Sequence, residues 1–157
     1  MIPDRQLRQT IDDLKSLERK CFAARSQFAF YDYLAAVFEL YVQLSRTKRA
    51  KKAATRVAKL SGLRKQNHTH CIRVIIDATS TADIKSRSRW TRALKYAWRE
   101  RRTWKDLGSF LRENGGPAAC GAAIIRGLGN LRVHGDQISL VLEAGAQFRQ
   151  LTRDSGV

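Results

Sequence analysis

The stretch FAFYDYLAAVFELYVQL, residues 28–44, decides the fold, because it is apolar nearly all round. Such a segment crosses a membrane, fills the centre of a bundle, or joins two subunits. A span needs roughly 17–25 residues, so 28–44 falls at the bottom of that range, and Asp32, Glu39 and Gln43 interrupt it. No membrane role is expected. The apolar band is wider than one neighbour can cover, so a helix from about Gln27 to Leu44 sits among several elements or forms a homodimer interface.

The rest of the chain supplies those neighbours. Its 157 residues suit a single domain, 1–157, with 43% apolar residues and two Pro. Helical periods outnumber alternating runs, so the expected fold is an all-α compact bundle of about six to seven helices. A first helix covers about 4–20, with Asp4 as N-cap after Pro3 and Leu7, Ile11, Leu14 and Leu17 facing inward. CIRVIIDAT, residues 71–79, is short enough for strand or buried helix, and the helical context favours helix. TSTAD caps a helix at about 83–102. Thr103 and Asp106 form a variant capping box for a helix at about 104–114, which Asn114-Gly115 ends. Pro117 then opens a helix to about Arg126, lined with small residues. Gly127 and Gly129 are expected to loosen the link to a last helix at about 137–153, capped by Asp136 and apolar at Ile138, Val141, Leu142 and Phe148.

Charge is the outlying property: 30 Lys and Arg against 14 Asp and Glu, net +16, with an isoelectric point near 10.6. Segments 46–65 and 85–105 hold 18 of the cations and one acid, Glu100, while the other 116 residues hold 12 cations and 13 acids. Segregation of this kind marks a patch for an anionic partner, since crowded like charges otherwise cost stability. A solvated basic face without a partner is the bland alternative.

In the second segment, about 100° per residue places Trp90, Leu94, Ala97 and Trp98 on one stripe of the helix. Arg92, Lys95, Arg99 and Arg102 fall nearly opposite, with Arg89 and Lys85 extending the row backwards. From Arg92 to Arg102 the row covers about 15 Å, and a duplex presents one phosphate charge per roughly 1.7 Å of axis. Ser86 and Ser88 near the helix start also favour phosphate. The spacing of Trp90 and Trp98 points to core rather than base stacking. Arg101 intrudes on the apolar stripe and is expected to snorkel or pair with an acid. The first segment keeps a thin stripe at Ala53, Val57 and Leu60, and repulsion among its nine cations predicts a loosely held helix, ordered on its target.

Nucleic-acid contact is therefore assigned to Arg46, Lys48, Arg49, Lys51, Lys52, Arg56 and Lys59 in the first segment. Lys85, Arg87, Arg89, Arg92, Lys95, Arg99 and Arg102 carry it in the second. Residues 103–125 have the lengths and the Gly-containing turn of a helix-turn-helix. Apart from Arg126, however, the helix 117–126 offers nothing to read base edges, so it would buttress the 85–102 helix within a binding region at 83–126.

Metal and catalytic chemistry find little support. HTHC, residues 68–71, clusters His68, His70 and Cys71 but lacks the separated ligand pairs of structural zinc. His134 has no nucleophile beside it, and neither GxSxG nor a P-loop occurs. Asp77 and Asp83 read as caps or salt-bridge partners of Arg more readily than as ligands for a divalent ion. No cofactor and no enzymatic activity are expected. Cys21, Cys71 and Cys120 are odd in number and set among apolar residues, the habit of free thiols in a reducing, cytoplasmic setting. The N-terminal MIPDRQLRQTIDDL has no apolar core for export and is too acidic for a transit peptide.

The expectation is a cytoplasmic DNA-binding regulator or accessory factor, for example in transcription regulation, that binds duplex DNA mainly by displacing counterions. Structured RNA or a ribonucleoprotein is the alternative partner, and an acidic protein gripped by the basic surface is the third.

Overall fold

The computed structural model describes residues 2–24, 27–46, 50–64 and 69–133. Among them are seven α-helices and no strand: α1 (Asp4–Ala23), α2 (Gln27–Ser45), α3 (Ala50–Leu60), α4 (Cys71–Thr79), α5 (Ile84–Arg99), α6 (Leu107–Glu113) and α7 (Gly116–Val133). The helix expected at 137–153 lies outside the described residues.

α2 is the central helix. Tyr33, Leu34, Val37 and Phe38 are fully buried, and α1, α3, α4, α5 and α6 all pack against it. Tyr31, Leu40, Tyr41 and Leu44 complete its buried surface, which leaves Phe28, Asp32 and Gln43 outward. The apolar band that suggested a homodimer is thus covered within one chain. Among the described residues no helix is long and apolar enough to cross a membrane. Aromatic rings tie α2 to α5: Phe30 lies 4.4 Å from Trp90, and Tyr41 meets the edge of Trp98 at 5.2 Å between centroids.

α4 resolves the ambiguity of 71–79 as a helix. His70 caps it by accepting the Ile72 N–H on Nδ1 at 3.2 Å. Cys71, Ile72, Val74, Ile75, Ile76, Ala78 and Thr79 are buried, so only a strip at Arg73 and Asp77 faces outward. Arg73 and Asp77 give the segment a polar strip at a spacing of four, but nine residues are too few for that one repeat to separate helix from strand, which is why the sequence left its type open.

Several boundaries differ from expectation for identifiable reasons. Pro3, not Asp4, is the N-cap of α1, and the Asp4 carboxylate pairs with Arg56. α1 also runs on to Ala23, with Cys21 buried and its thiol donating to the Ala29 carbonyl. α5 stops at Arg99 in a Schellman turn: Arg102 N–H donates to the Ala97 carbonyl and Arg101 N–H to that of Trp98, both at 3.0 Å. Arg101 holds the left-handed position at φ 53°, where glycine is usual, and is exposed, so it neither continues the helix nor lies on its apolar stripe. α6 begins only at Leu107. The Asp106 carboxylate accepts from the Thr103 hydroxyl and makes no side-chain bond to the helix start, so the expected capping box does not form. α7 continues unbroken through Gly127 and Gly129.

Candidate nucleic-acid interface

The eleven residues of α3, AKKAATRVAKL, contain no acid. Ala53, Ala54, Val57 and Ala58 are buried, so the thin apolar stripe is wholly used in packing, chiefly on α4 and α1. Lys51, Lys52, Thr55 and Lys59 consequently share the exposed face. Arg56 leaves that face sideways: its guanidinium binds Asp4 and donates through Nη2 to the Ile2 carbonyl at 2.7 Å. Gly62, at φ 69°, closes α3 in a second Schellman turn, with Leu63 N–H on the Ala58 carbonyl at 2.9 Å. Arg46, just past α2, and Arg64, just past that turn, are exposed. Lys48 and Arg49 lie outside the described residues.

α5 differs from the open cationic row that its helical wheel suggests. α7 packs along it more extensively than any other helix does. A Cβ at Gly121 of α7 would stand 3.3 Å from the Arg89 carbonyl oxygen and 3.4 Å from the Arg92 Cβ, and one at Gly127 would stand 2.8 Å from Arg99 Nη1. Gly121 therefore serves close approach of α7 to α5, whereas at Gly127 the flexible end of Arg99 has room to move aside. Arg92 is half-buried, and its Nε is enclosed with no partner among the described residues. Arg99 lies over the Tyr96 ring at 5.2 Å and 3.6 Å from the Glu100 carboxylate. Arg102, beyond the helix, covers the Phe110 ring at 5.0 Å. Lys95 is partly buried, which holds its ammonium below the ordinary lysine range. Lys85, Arg89, Arg99 and Arg102 are exposed. Trp90 is core as expected, whereas Trp98 keeps 44% of its surface exposed.

α4 brings forward residues that the charge count overlooked. Arg73 Nε donates to both Asp77 oxygens at 2.9 and 2.8 Å, Arg73 Nη1 to the Ser88 hydroxyl at 2.6 Å, and Arg87 Nη1 to Asp77 at 2.7 Å. One carboxylate thus serves two guanidinia, and the cluster keeps a surplus positive charge while it fastens α4 to α5. Arg64, Thr69, Arg73 and Asp77, with Ala58, Leu63 and Val74, line a cleft of about 420 Å3 beside it. The signal was present in the sequence, an Arg and an Asp four residues apart in an otherwise apolar segment.

On the other side of Asp77, Lys15, Glu18 and Arg19 of α1 border a hollow of about 380 Å3. Glu18 is 2% exposed and accepts the Ser80 hydroxyl at 2.7 Å and the Thr81 N–H at 2.9 Å. It therefore locks the α4–α5 turn onto α1. His70 is similarly structural: burial, with the Lys95 charge adding to it, lowers its pKa to about 4, and the neutral ring acts as a cap acceptor. Its sequence neighbour His68 lies outside the described residues, as does His134. Among the described residues no three His, Cys, Asp or Glu side chains group as metal ligands would. Cys21, Cys71 and Cys120 are buried thiols, and burial pushes the Cys21 and Cys120 thiols up.

The chain matches no family model, no curated protein and no solved structure.

Proposed function

We propose that this protein binds nucleic acid, duplex DNA in the first place, with the outward face of α3 as the main electrostatic contact. The observation that carries the reading is that Lys51, Lys52 and Lys59 stand together on an exposed helix face without an acid in the helix. Arg46, Lys85 and Arg89, all exposed, are the further contacts we assign. The binding energy would come mainly from counterions released as these cations meet phosphates. Arg56, Arg87 and Arg92 serve chiefly to hold the bundle together. On this account the molecule is a binding protein, acting as a regulator or accessory factor in a reducing, cytoplasmic setting. A homodimer through α2 is not needed to bury its apolar surface.

One observation favours single-stranded nucleic acid or RNA as a second reading. Trp98 presents nearly half its surface one turn from Lys95, the combination that stacks an unpaired base beside a cation. Competition among duplex DNA, single strands and RNA at fixed salt tests the choice. We expect duplex to compete best, and loss of affinity for single strands or RNA in Trp98→Ala would favour the second reading. Protein purified with a raised 260/280 absorbance ratio that nuclease removes would support either. A ratio unmoved by nuclease, together with no binding to any of the three, would reject both in favour of an acidic protein partner.

A further inference from the structure

We propose that the cleft between the end of α3 and the outward strip of α4 binds a phosphomonoester, carried by a nucleotide or by the end of a nucleic-acid strand. The argument starts from Arg73. Its Nε is spent on Asp77 and its Nη1 on Ser88, which fixes the plane of the guanidinium. Nη2 makes no hydrogen bond among the described residues and is not enclosed, so of the three nitrogens this one stays available as a donor in a fixed direction. A pre-oriented guanidinium of this kind loses little freedom when it takes an oxyanion. Arg64, an exposed lining residue, has no ion pair among the described residues, and Thr69 adds a hydroxyl to the lining.

Asp77 also lines the cleft and opposes an anion. Its charge, however, is shared between Arg73 and Arg87 at 2.7–2.8 Å, so Arg64, Arg73 and Arg87 together outweigh it. That balance favours a dianion over a monoanion. A phosphomonoester carries about −1.5 to −2 at pH 7, against −1 for a diester within a continuous strand. A terminal group also enters a concave site from one side, whereas a backbone diester must leave it again. Ala58, Leu63 and Val74 supply an apolar wall for a sugar or base, and about 420 Å3 falls within the range of small-molecule pockets, roughly 300–1,000 Å3.

The strand-end source rests on the nucleic-acid reading above, while the nucleotide source does not. The test is calorimetric titration of the full chain with adenosine 5′-monophosphate, inorganic phosphate and adenosine. The monophosphate and phosphate should bind and adenosine should not. Arg64→Ala should weaken the monophosphate about tenfold, which is about 1.4 kcal/mol, and Arg64→Glu should abolish it. Lys105→Glu, at an exposed residue outside both the cleft and the proposed nucleic-acid contacts, should leave it unchanged. Both Arg64 variants alter an exposed side chain, and their far-UV circular dichroism should match that of the parent. Equal binding of adenosine and its monophosphate, or an Arg64→Ala protein that binds as the parent does, would overturn the proposal. A second titration compares duplexes with 5′-phosphate and 5′-hydroxyl ends. A preference for the phosphate that Arg64→Ala removes identifies the strand end, and equal affinity with retained monophosphate binding identifies a free nucleotide. Duplex binding without any monophosphate binding would remove this site and leave the nucleic-acid reading standing; the reverse pattern would do the opposite.

Discussion

α3 and α5 are the two basic helices of the molecule, and their cations have opposite fates. The segments around them, 46–65 and 85–105, carry nine Lys or Arg each. Around α3 the core side is packed and Arg56 is paired with Asp4, while Lys51, Lys52 and Lys59 are exposed. α5 is held by α4 on one flank and α7 on another, so Arg87 and Arg92 become partly buried structural groups. The difference teaches that the charge of a helix does not determine its availability. What determines it is how many neighbours the helix needs, and an Arg stem provides enough apolar surface to be packed upon.

If α5 is structural, substitutions in it should be felt first as stability. Trp90→Ala removes the ring wedged against Phe30 and Tyr33 and should cost about 3–5 kcal/mol, measured by urea unfolding. Asp77→Asn leaves Arg73 and Arg87 without their shared anion in a partly buried setting and should cost about 1–3 kcal/mol. A cost under about half a kcal/mol there would mean that the α4–α5 clasp is loose. Arg101→Gly should stabilise by about 1 kcal/mol, because glycine adopts the left-handed position without the Cβ penalty. Its thermal midpoint should rise by a few degrees.

The smallest effect is acid-dependent and concerns the start of α4, beside Lys95 of α5. The His70 pKa is depressed from 6.5 to about 4, so its contribution is complete above about pH 6.5 and is lost as pH falls toward 4. His70→Asn keeps a cap acceptor that does not titrate. The variant should match the parent at pH 7 and lose less of its thermal midpoint between pH 7 and about 4.5. An identical acid-side loss in the two proteins would remove His70 as the cause.

The sequence made some of this legible and hid the rest for physical reasons. The central place of α2 followed from an apolar surface too wide for one partner, and the outward lysines of α3 followed from its narrow Ala-Val stripe. The covering of α5 did not follow, because a helical wheel separates polar from apolar faces but cannot show a glycine-bearing helix packing on arginine stems. Gly127, read as a loosening residue, lies within the continuous α7 with the flexible end of Arg99 beside it. Arg101 gave no sign of ending a helix, since that turn normally announces itself with Gly or Asn. The Arg73–Asp77 strip was visible at a spacing of four, yet it lay in a segment whose type only tertiary packing resolved.

The salt dependence of duplex binding tests the central claim, that α3 rather than α5 makes the electrostatic contact, most directly. The slope of log K against log salt should fall in magnitude by about 2.7 in the triple variant Lys51→Glu, Lys52→Glu, Lys59→Glu, at about 0.9 for each phosphate that is no longer neutralised. Arg92→Met, which replaces a partly buried cation with an apolar chain of similar length, should keep the parent slope. An unchanged slope in the α3 variant with a reduced one in Arg92→Met would contradict the account.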